Sequence, residues 1–169
     1  MASNIEIKAQ ANDFTGQRER AEAMSDVPGE AFLQEDVFFN VTKGRLKLRI
    51  LGDHSGTLIF YQRDDSSGPR WSHYLVSKTH EPEALKNVLS SSLGVRGVVR
   101  KHRTVYKVGR TRIHFDRVEG LGDFVELECV MDSSTGEEEA SHGVRNLMDI
   151  LGIRESDLIG EAYIDLLLR

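Results

Sequence analysis

The sequence predicts an α+β fold in which about eight antiparallel strands pack their apolar face against about four helices. Most of the chain alternates polar and apolar residues with a period of two, which is typical of strands with one buried face. Glycine-containing turns separate several of these runs, so that consecutive strands can form hairpins. The remaining segments space their apolar residues as amphipathic helices do.

Strands in the first part of the chain are expected at residues 5–8, 34–41, 44–51, 57–64 and 71–78. Gly44 supplies the turn between the second and third of them, because glycine tolerates the positive φ of tight turns. The sequence DDSSGP is the loop that ends the fourth strand. Helices are expected at residues 13–24 and 81–94. Asp13 or Thr15 can cap the first of these helices. Pro82 suits the first turn of the second helix, and Gly94 ends it.

Strands in the second part are expected at residues 95–109, 109–118 and 122–131, and helices at residues 137–152 and 155–169. Acidic residues fill the first turn of the former helix, which suits its dipole, and Ser156 is the expected N-cap of the latter. The last two strands form a hairpin whose apolar residues share one parity: Ile113 and Phe115, then Val125, Leu127 and Cys129. If helices cover that face, the opposite face must point to solvent or into a closed polar interior.

Composition limits the class of protein. The chain of 169 residues is most simply one domain, residues 1–169. Its net charge of −5 argues against a general nucleic-acid binder. The single cysteine, Cys129, cannot form an internal disulfide. We find no signal-peptide pattern and no apolar run near the roughly 18 residues of a membrane helix, so a cytoplasmic location is expected.

The charged face of the hairpin GRTRIHFDRVEGLGDFVELECV is the first candidate site. Arg112, His114 and Asp116 share one parity on its first strand, and Glu126 and Glu128 share one on its second. Such a face is commonly solvated, and this interpretation requires no function. Carboxylates two residues apart nevertheless project the same way, as ligands of a hard divalent cation must.

Basic residues cluster on one face of two other predicted strands. Arg45, Lys47 and Arg49 alternate with apolar residues on one strand, and Lys101 and Arg103 do so on another. Like charges side by side repel each other, so a surface built only for solubility would intersperse the two signs. Rows of arginine and lysine bind oxyanions such as phosphate, and a metal ion with a polyphosphate would neutralise both kinds of face. The pattern alone leaves a solvated surface and a metal–polyphosphate site both open.

Several motifs, in this order, span nearly the whole chain: NIEIK, GRLKLRI, LIFYQRD, VRKHR and IHFDRVEGLGDFVELE. Their order and spacing resemble the CYTH superfamily, the triphosphate tunnel metalloenzymes, which include class IV adenylyl cyclases and thiamine triphosphatases. The stretch GLGDFVELE is most similar to the class IV cyclase branch. The resemblance implies a closed eight-stranded antiparallel barrel that forms a triphosphate tunnel, with a charged interior and helices packed outside.

The resemblance also implies roles for individual residues. Glu6 and Lys8 occupy the second acidic and the basic positions of a Glu-x-Glu-x-Lys signature, whose first position is Asn4 here. The positions implied to bind the triphosphate are Lys8, Arg45, Lys47, Arg49, Arg63, Lys101, Arg103 and Arg112. Those implied to bind Mg²⁺ or Mn²⁺ are Glu6, Asp116, Glu126 and Glu128. Because asparagine offers an amide oxygen without charge, Asn4 leaves the tunnel with one negative ligand fewer than the signature.

We therefore expect an enzyme that hydrolyses a triphosphate: inorganic tripolyphosphate, a nucleoside triphosphate or thiamine triphosphate. Lys8 is the expected catalytic residue, which either orients or deprotonates the nucleophile or acts only through its charge. One alternative is a class IV adenylyl cyclase, which converts ATP to cyclic AMP and pyrophosphate. A second alternative is a non-catalytic module that binds polyphosphate or nucleotide. The expected partner is a small-molecule triphosphate, with no nucleic acid and no membrane, and the expected assembly is a monomer or homodimer.

Overall fold

The computed structural model describes residues 2–134 and 136–169. Its eight strands form a closed antiparallel barrel in the order β1-β5-β4-β3-β2-β6-β7-β8. The strands are β1 (Ala2–Gln10), β2 (Glu30–Phe39), β3 (Arg45–Leu51), β4 (Gly56–Arg63), β5 (Arg70–Thr79), β6 (Val95–Val108), β7 (Thr111–Val118) and β8 (Gly122–Met131). The helices are α1 (Phe14–Met24), α2 (Pro82–Leu93), α3 (Glu137–Leu151) and α4 (Tyr163–Leu167). The predicted closed barrel with helices outside is confirmed.

Alternation along the strands separates an apolar outer face from a charged inner face. On β7, Ile113 and Phe115 are buried in a core that includes Val144, Leu147 and Leu151 of α3. On the side of the barrel covered by α2, Val37, Phe39, Leu48 and Ile50 form a second core with Leu85 and Leu89 of that helix. The intervening residues of each strand line the barrel interior. The charged faces predicted from the sequence therefore point inward.

The turn between β7 and β8 sets which charges face each other. Gly120 and Gly122 have φ values of 82° and 105°, which only glycine adopts readily, so these glycines serve the turn. With Val118 opposite Gly122, the register places His114 opposite Glu126.

Apolar side chains close one end of the barrel. The inward-facing Phe38, Val99 and Phe124 pack with Tyr163 and Ile164 of α4 in a third buried cluster. We call this end the closed end. The opposite end, where β3 finishes and β4 begins, is the open mouth.

The prediction of one helix over residues 155–169 is wrong. A 3-10 turn, Glu155–Asp157, is followed by extended chain and then by the short helix α4. The Arg154 backbone N–H and guanidinium both donate to the Asp157 carboxylate, so Ser156 is not the cap. The Ile159 N–H donates to the Lys8 carbonyl at 2.8 Å. This hydrogen bond and the bridge between Leu158 and Ala9 are tertiary contacts that hold the segment against β1 and override its helical pattern.

None of the helices within the described residues combines the length and the apolar character needed to cross a bilayer.

Candidate active site

Side chains from all eight strands surround a cavity of about 560 Å³ in the barrel interior. Nearly all of the predicted site residues line it: Glu6, Lys8, Lys47, Arg49, Arg63, Lys101, Arg103, Arg112, Glu126 and Glu128. Arg45 lies outside this lining, where it contacts Asp65 at 3.0 Å and Asp165 at 2.8 Å near the closed end. Asp116 lies behind the lining. The structure thus brings together residues from both ends of the sequence.

Asp36 of β2 holds two of the basic side chains. Its carboxylate accepts hydrogen bonds from Lys47 Nζ and Arg49 Nε, both at 2.9 Å. Burial alone would raise the pKa of Asp36, but Arg49 and Lys47 hold it below the ordinary value. Burial lowers the pKa of Lys47 to about 8, against the opposing effect of Asp36. Asp36 is therefore an anchor that aims two cations at the cavity.

Asp116 of β7 plays the same structural part for the second basic pair. Lys101 Nζ donates to it at 2.9 Å, and Arg103 donates from Nε at 2.7 Å and from Nη2 at 2.6 Å. The Tyr163 hydroxyl donates to the same carboxylate at 3.0 Å. Asp116 is completely buried, and both of its oxygens are occupied by these donors. Its predicted role as a metal ligand stays a prediction.

Lys8 lies at the boundary between the cavity and the closed end. Its Nζ donates to the Glu161 carbonyl at 2.7 Å and lies 4.0 Å from the centre of the Tyr163 ring. Its pKa is lowered to about 7, chiefly by burial and with a contribution from Arg63, while Glu126 opposes the shift. The amine is thus held in one place by α4 and the segment before it.

The acidic side chains lie together on the wall formed by β1 and β8. Glu6 is directly opposite Glu128, and Lys8 is directly opposite Glu126. Glu6 pairs with Arg63 at 2.7 Å, Glu126 with Arg103 at 3.0 Å, and Glu128 with Arg112 at 3.1 Å. Burial would raise the pKa of Glu126, but Arg103 and Lys101 hold it well below the ordinary value. All three carboxylates are thus ion-paired within the cavity, and Glu126 is ionised.

The donor set on this wall fits a hard divalent cation in its chemistry. Glu6, Glu126 and Glu128 offer carboxylate oxygens, which Mg²⁺ and Mn²⁺ prefer. Among the described residues, the buried Asn4 Oδ1 has no hydrogen-bond partner, while Asn4 Nδ2 donates to Glu128. No three acidic, histidine or cysteine side chains of the described part of the chain converge on one point. A cation would therefore have to draw these carboxylates away from their arginine partners.

Several lining residues escaped the sequence analysis. Arg70 is buried, lies 3.6 Å from Glu6 and donates to the Ile159 carbonyl at 3.3 Å. It precedes the predicted start of its strand. Asp36 and Gln34 are two residues apart on a predicted strand and therefore share a face. These two polar residues on one face were the available indication that Asp36 points inward. Tyr163 lay within a predicted helix, where no pattern pointed to the barrel.

His114 is buried between the two glutamates of β8. Its Nδ1 lies 3.6 Å from Glu126, and its Nε2 lies 3.7 Å from Glu128. Burial and Arg103 lower the pKa of His114. Within the described residues, the buried His114 Nδ1 has no hydrogen-bond partner.

Comparison with known proteins agrees with this architecture. A family model described as the CYTH domain matches residues 2–163. The protein named "Putative adenylate cyclase MJ0240" of Methanocaldococcus jannaschii is 25% identical, over 96% of this chain and 97% of that protein. The structure of the PH1012 protein of Pyrococcus horikoshii superposes with a TM-score of 0.85 at 26% identity, over 96% of this chain and 98% of that one. HpAC1 of Hippeastrum has a TM-score of 0.70 at 16% identity, over 98% and 94% of the two chains. The chain belongs to the CYTH family, and its barrel is the triphosphate tunnel fold of that family.

Proposed function

We propose that the protein is a divalent-metal-dependent enzyme that hydrolyses a triphosphate within the barrel. The observation that carries this proposal is the pair of buried anchors, Asp36 and Asp116, each of which aims two cations at one cavity. Removing so many charges from water can cost more than ion pairing alone returns. A polyanion that binds the lysines and arginines would account for this cost.

The cations are distributed as a triphosphate requires. Arg63 and Arg70 belong to strands β4 and β5, on the other side of the barrel from Lys101 and Arg103 of β6. A phosphate chain between them would be contacted from both sides, and arginine can bind phosphate oxygens in a bidentate manner. Arg45 would contact the triphosphate from the closed end only if its ion pair with Asp165 were broken.

Glu6, Glu126 and Glu128 would hold Mg²⁺ or Mn²⁺, and the Asn4 amide oxygen would complete this set. When bound, such an ion stabilises the charge that develops on the phosphate oxygens. Phosphoryl transfer otherwise depends on positioning and electrostatic stabilisation, which the anchored cations supply. Lys8 Nζ, held against Glu161 and Tyr163, would orient the attacking water or accept its proton. Asp116 would serve mainly to position Lys101 and Arg103.

Class IV adenylyl cyclase activity is the second candidate. It is supported by the relative from Methanocaldococcus jannaschii, whose name denotes an adenylate cyclase. HpAC1, which shares the fold, is described as a putative adenylyl cyclase with a dominant triphosphatase activity. The tunnel fold is thus compatible with hydrolysis even in a protein first named a cyclase. We prefer hydrolysis because cyclisation would also require the adenosine to be held in one orientation.

Product analysis separates these candidates. The protein is incubated with Mg²⁺ or Mn²⁺ and, in turn, with tripolyphosphate, ATP and thiamine triphosphate, and the products are resolved by chromatography. We expect release of orthophosphate. Formation of cyclic AMP and pyrophosphate would replace hydrolysis by cyclisation, and tight binding without turnover would indicate a binding module.

A further inference from the structure

We propose that His114 is a nitrogen ligand of the cation on the acidic wall formed by Glu6, Glu126 and Glu128, so that the site selects a transition-metal ion such as Mn²⁺ over Mg²⁺. This inference rests on the proposed function, because it assumes that the wall binds a divalent cation. It is carried by the position of the imidazole, by two buried polar atoms that have no hydrogen-bond partner within the described residues, and by the ligand chemistry of imidazole.

The register of β7 on β8 brings His114 into the acidic wall. His114 lies directly opposite Glu126, and Arg112 lies directly opposite Glu128. All four side chains line the cavity. The Nδ1 of His114 lies 3.6 Å from Glu126 Oε2, and its Nε2 lies 3.7 Å from Glu128 Oε2. The imidazole therefore spans the gap between two carboxylates on the same face of β8.

The surroundings of His114 assign different roles to its two nitrogens. Both separations exceed the length of a hydrogen bond. A histidine that binds a metal almost always donates the N–H of its other ring nitrogen, often to a carboxylate, and this bond orients the ring. Glu126, which Arg103 also contacts at 3.0 Å, is in position to accept from Nδ1. Nε2 then carries the lone pair, and it faces Glu128.

Glu128 directs one oxygen at this lone pair. Its Oε1 is contacted by Arg112 Nη2 at 3.1 Å and accepts a hydrogen bond from Asn4 Nδ2. Its Oε2 is the oxygen beside His114 Nε2. A carboxylate oxygen and an imidazole lone pair that face each other repel, whereas a cation bound by both would be stabilised. Glu128 and His114 are therefore arranged as two ligands of one ion.

Asn4 offers an uncharged oxygen next to Glu128. Asn4 is 2% exposed, and its Oδ1 has no hydrogen-bond partner in the part of the chain that the structure describes. A buried amide oxygen without a partner destabilises the fold, and a bound cation would satisfy it. An amide oxygen from β1, a carboxylate from β8 and an imidazole from β7 thus lie around one part of the cavity.

This set of ligands discriminates between metal ions. Mg²⁺ prefers oxygen ligands, whereas imidazole suits transition-metal ions. Because Asn4 brings no charge, the electrostatic attraction for a cation is weaker here than on a wall of carboxylates alone. A nitrogen ligand offsets this weaker attraction for Mn²⁺ more than it does for Mg²⁺.

Pulsed electron paramagnetic resonance of bound Mn²⁺ tests the ligand directly. Mn²⁺ alone is added to the wild-type protein, in which histidine is either unlabelled or labelled with ¹⁵N. We expect a nitrogen coupling that changes with the label, because His114 is the one histidine among the described residues that lines the cavity. Bound Mn²⁺ without coupling to histidine nitrogen would overturn the proposal. This measurement requires no variant to fold.

Calorimetry of two variants locates the effect. His114→Gln keeps a polar side chain but has no imidazole, and we expect the dissociation constant of Mn²⁺ to rise about tenfold and that of Mg²⁺ to stay within about twofold. His102→Gln is the control, because His102 is exposed on the outer face of β6. It should bind both ions as the wild type does. Equal weakening of both ions by His114→Gln, or unchanged affinity for Mn²⁺, would contradict the proposal.

Failure of this inference and failure of the proposed function give different results. Histidine-coupled Mn²⁺ in a protein that hydrolyses no triphosphate would uphold this inference and refute the hydrolase. Metal-dependent hydrolysis without the histidine coupling would refute this inference alone. Absence of divalent-cation binding would refute both.

Discussion

Arg103 and Asp116 form a buried bidentate ion pair, in which Nε and Nη2 donate to the two carboxylate oxygens at 2.7 Å and 2.6 Å. The guanidinium is 6% exposed and the carboxylate is completely buried. The same Nη2 reaches Glu126 at 3.0 Å. Arg103 thus links the anchor behind the cavity to the acidic wall within it, and its orientation depends on Asp116.

Loss of the Asp116 anchor should destabilise the fold. It should also increase the stabilisation that a bound triphosphate provides. Asp116→Asn leaves Lys101 without its charge partner and leaves Arg103 paired with Glu126 alone, and removing one partner of a buried pair costs about 3 kcal/mol. A bound triphosphate would neutralise the same cations. We therefore expect a lower melting temperature and a larger rise on adding tripolyphosphate than in the wild type. Asp149→Asn, at an exposed position of α3, is the control. If tripolyphosphate changed the melting temperature of the Asp116→Asn variant no more than that of the wild type, this account would be refuted.

Lys47 should contribute directly to triphosphate affinity. Lys47→Met keeps the length of the side chain but removes its charge, and we expect at least a tenfold higher dissociation constant for tripolyphosphate. Lys43→Met, in the exposed turn before the same strand, should bind as the wild type does. Calorimetry of both variants checks this expectation. If the inner charges were merely structural, the two variants would bind equally well.

Triphosphate affinity should fall as pH rises above about 8, where Lys47 loses its proton in the free protein. The stability of the fold should change with pH in the opposite direction. Because burial lowers the pKa of Lys47 in the folded state, the unfolded chain binds more protons between about 8 and its ordinary 10.5, and stability should rise across that window. Binding titrations from pH 7 to pH 10 test the first statement, and thermal unfolding tests the second. Lys47→Arg should flatten the loss of affinity, since arginine stays charged. An equally steep loss in that variant would assign the effect to another group.

Closure of the barrel should depend on Gly160. A methyl group there would collide with the Asp65 carbonyl oxygen, so Gly160→Ala should destabilise the protein by about 1–3 kcal/mol. Gly143→Ala is the matched control, because a Cβ there meets nothing within 4 Å and alanine favours a helix interior by about 1 kcal/mol. Chemical denaturation of both variants should give changes of opposite sign. A neutral Gly160→Ala would show that the segment before α4 is free to move.

Much of the barrel could be predicted because a period of two determines which residues of a strand share a face. That pattern placed Ile113 and Phe115 outside and Glu126 and Glu128 together, and the family resemblance implied that the sheet closes. The turn at Gly44 predicted that β2 and β3 are neighbours, but not their register, so the anchoring of Lys47 by Asp36, which lies directly opposite Arg49, was not predicted.

The closed end could not be predicted for a different reason. Residues 155–169 have a helical pattern, but Leu158 bridges to Ala9 and Arg154 binds Asp157, so that the chain is extended before Tyr163. The bridge between Leu158 and Ala9 is a long-range contact, and such contacts leave no trace in the local sequence. Arg45 shares a face with Lys47 and Arg49, yet the ion pair with Asp165 keeps it outside the cavity lining. Strand parity predicts which face of the sheet a side chain lies on, but not its position along the barrel axis or whether it reaches the cavity.

The central claim is that the acidic wall supports metal-dependent hydrolysis of a triphosphate, and the most direct measurement is orthophosphate release by the double variant Glu126→Gln, Glu128→Gln. The Glu119→Gln variant, altered in the exposed turn after β7, is the control. Circular dichroism verifies that each variant is folded. We expect Mg²⁺- or Mn²⁺-dependent release of orthophosphate from the wild type and the control, and none above background from the double variant. Turnover by a folded double variant at the wild-type rate would contradict the metal assignment and, with it, the proposed mechanism.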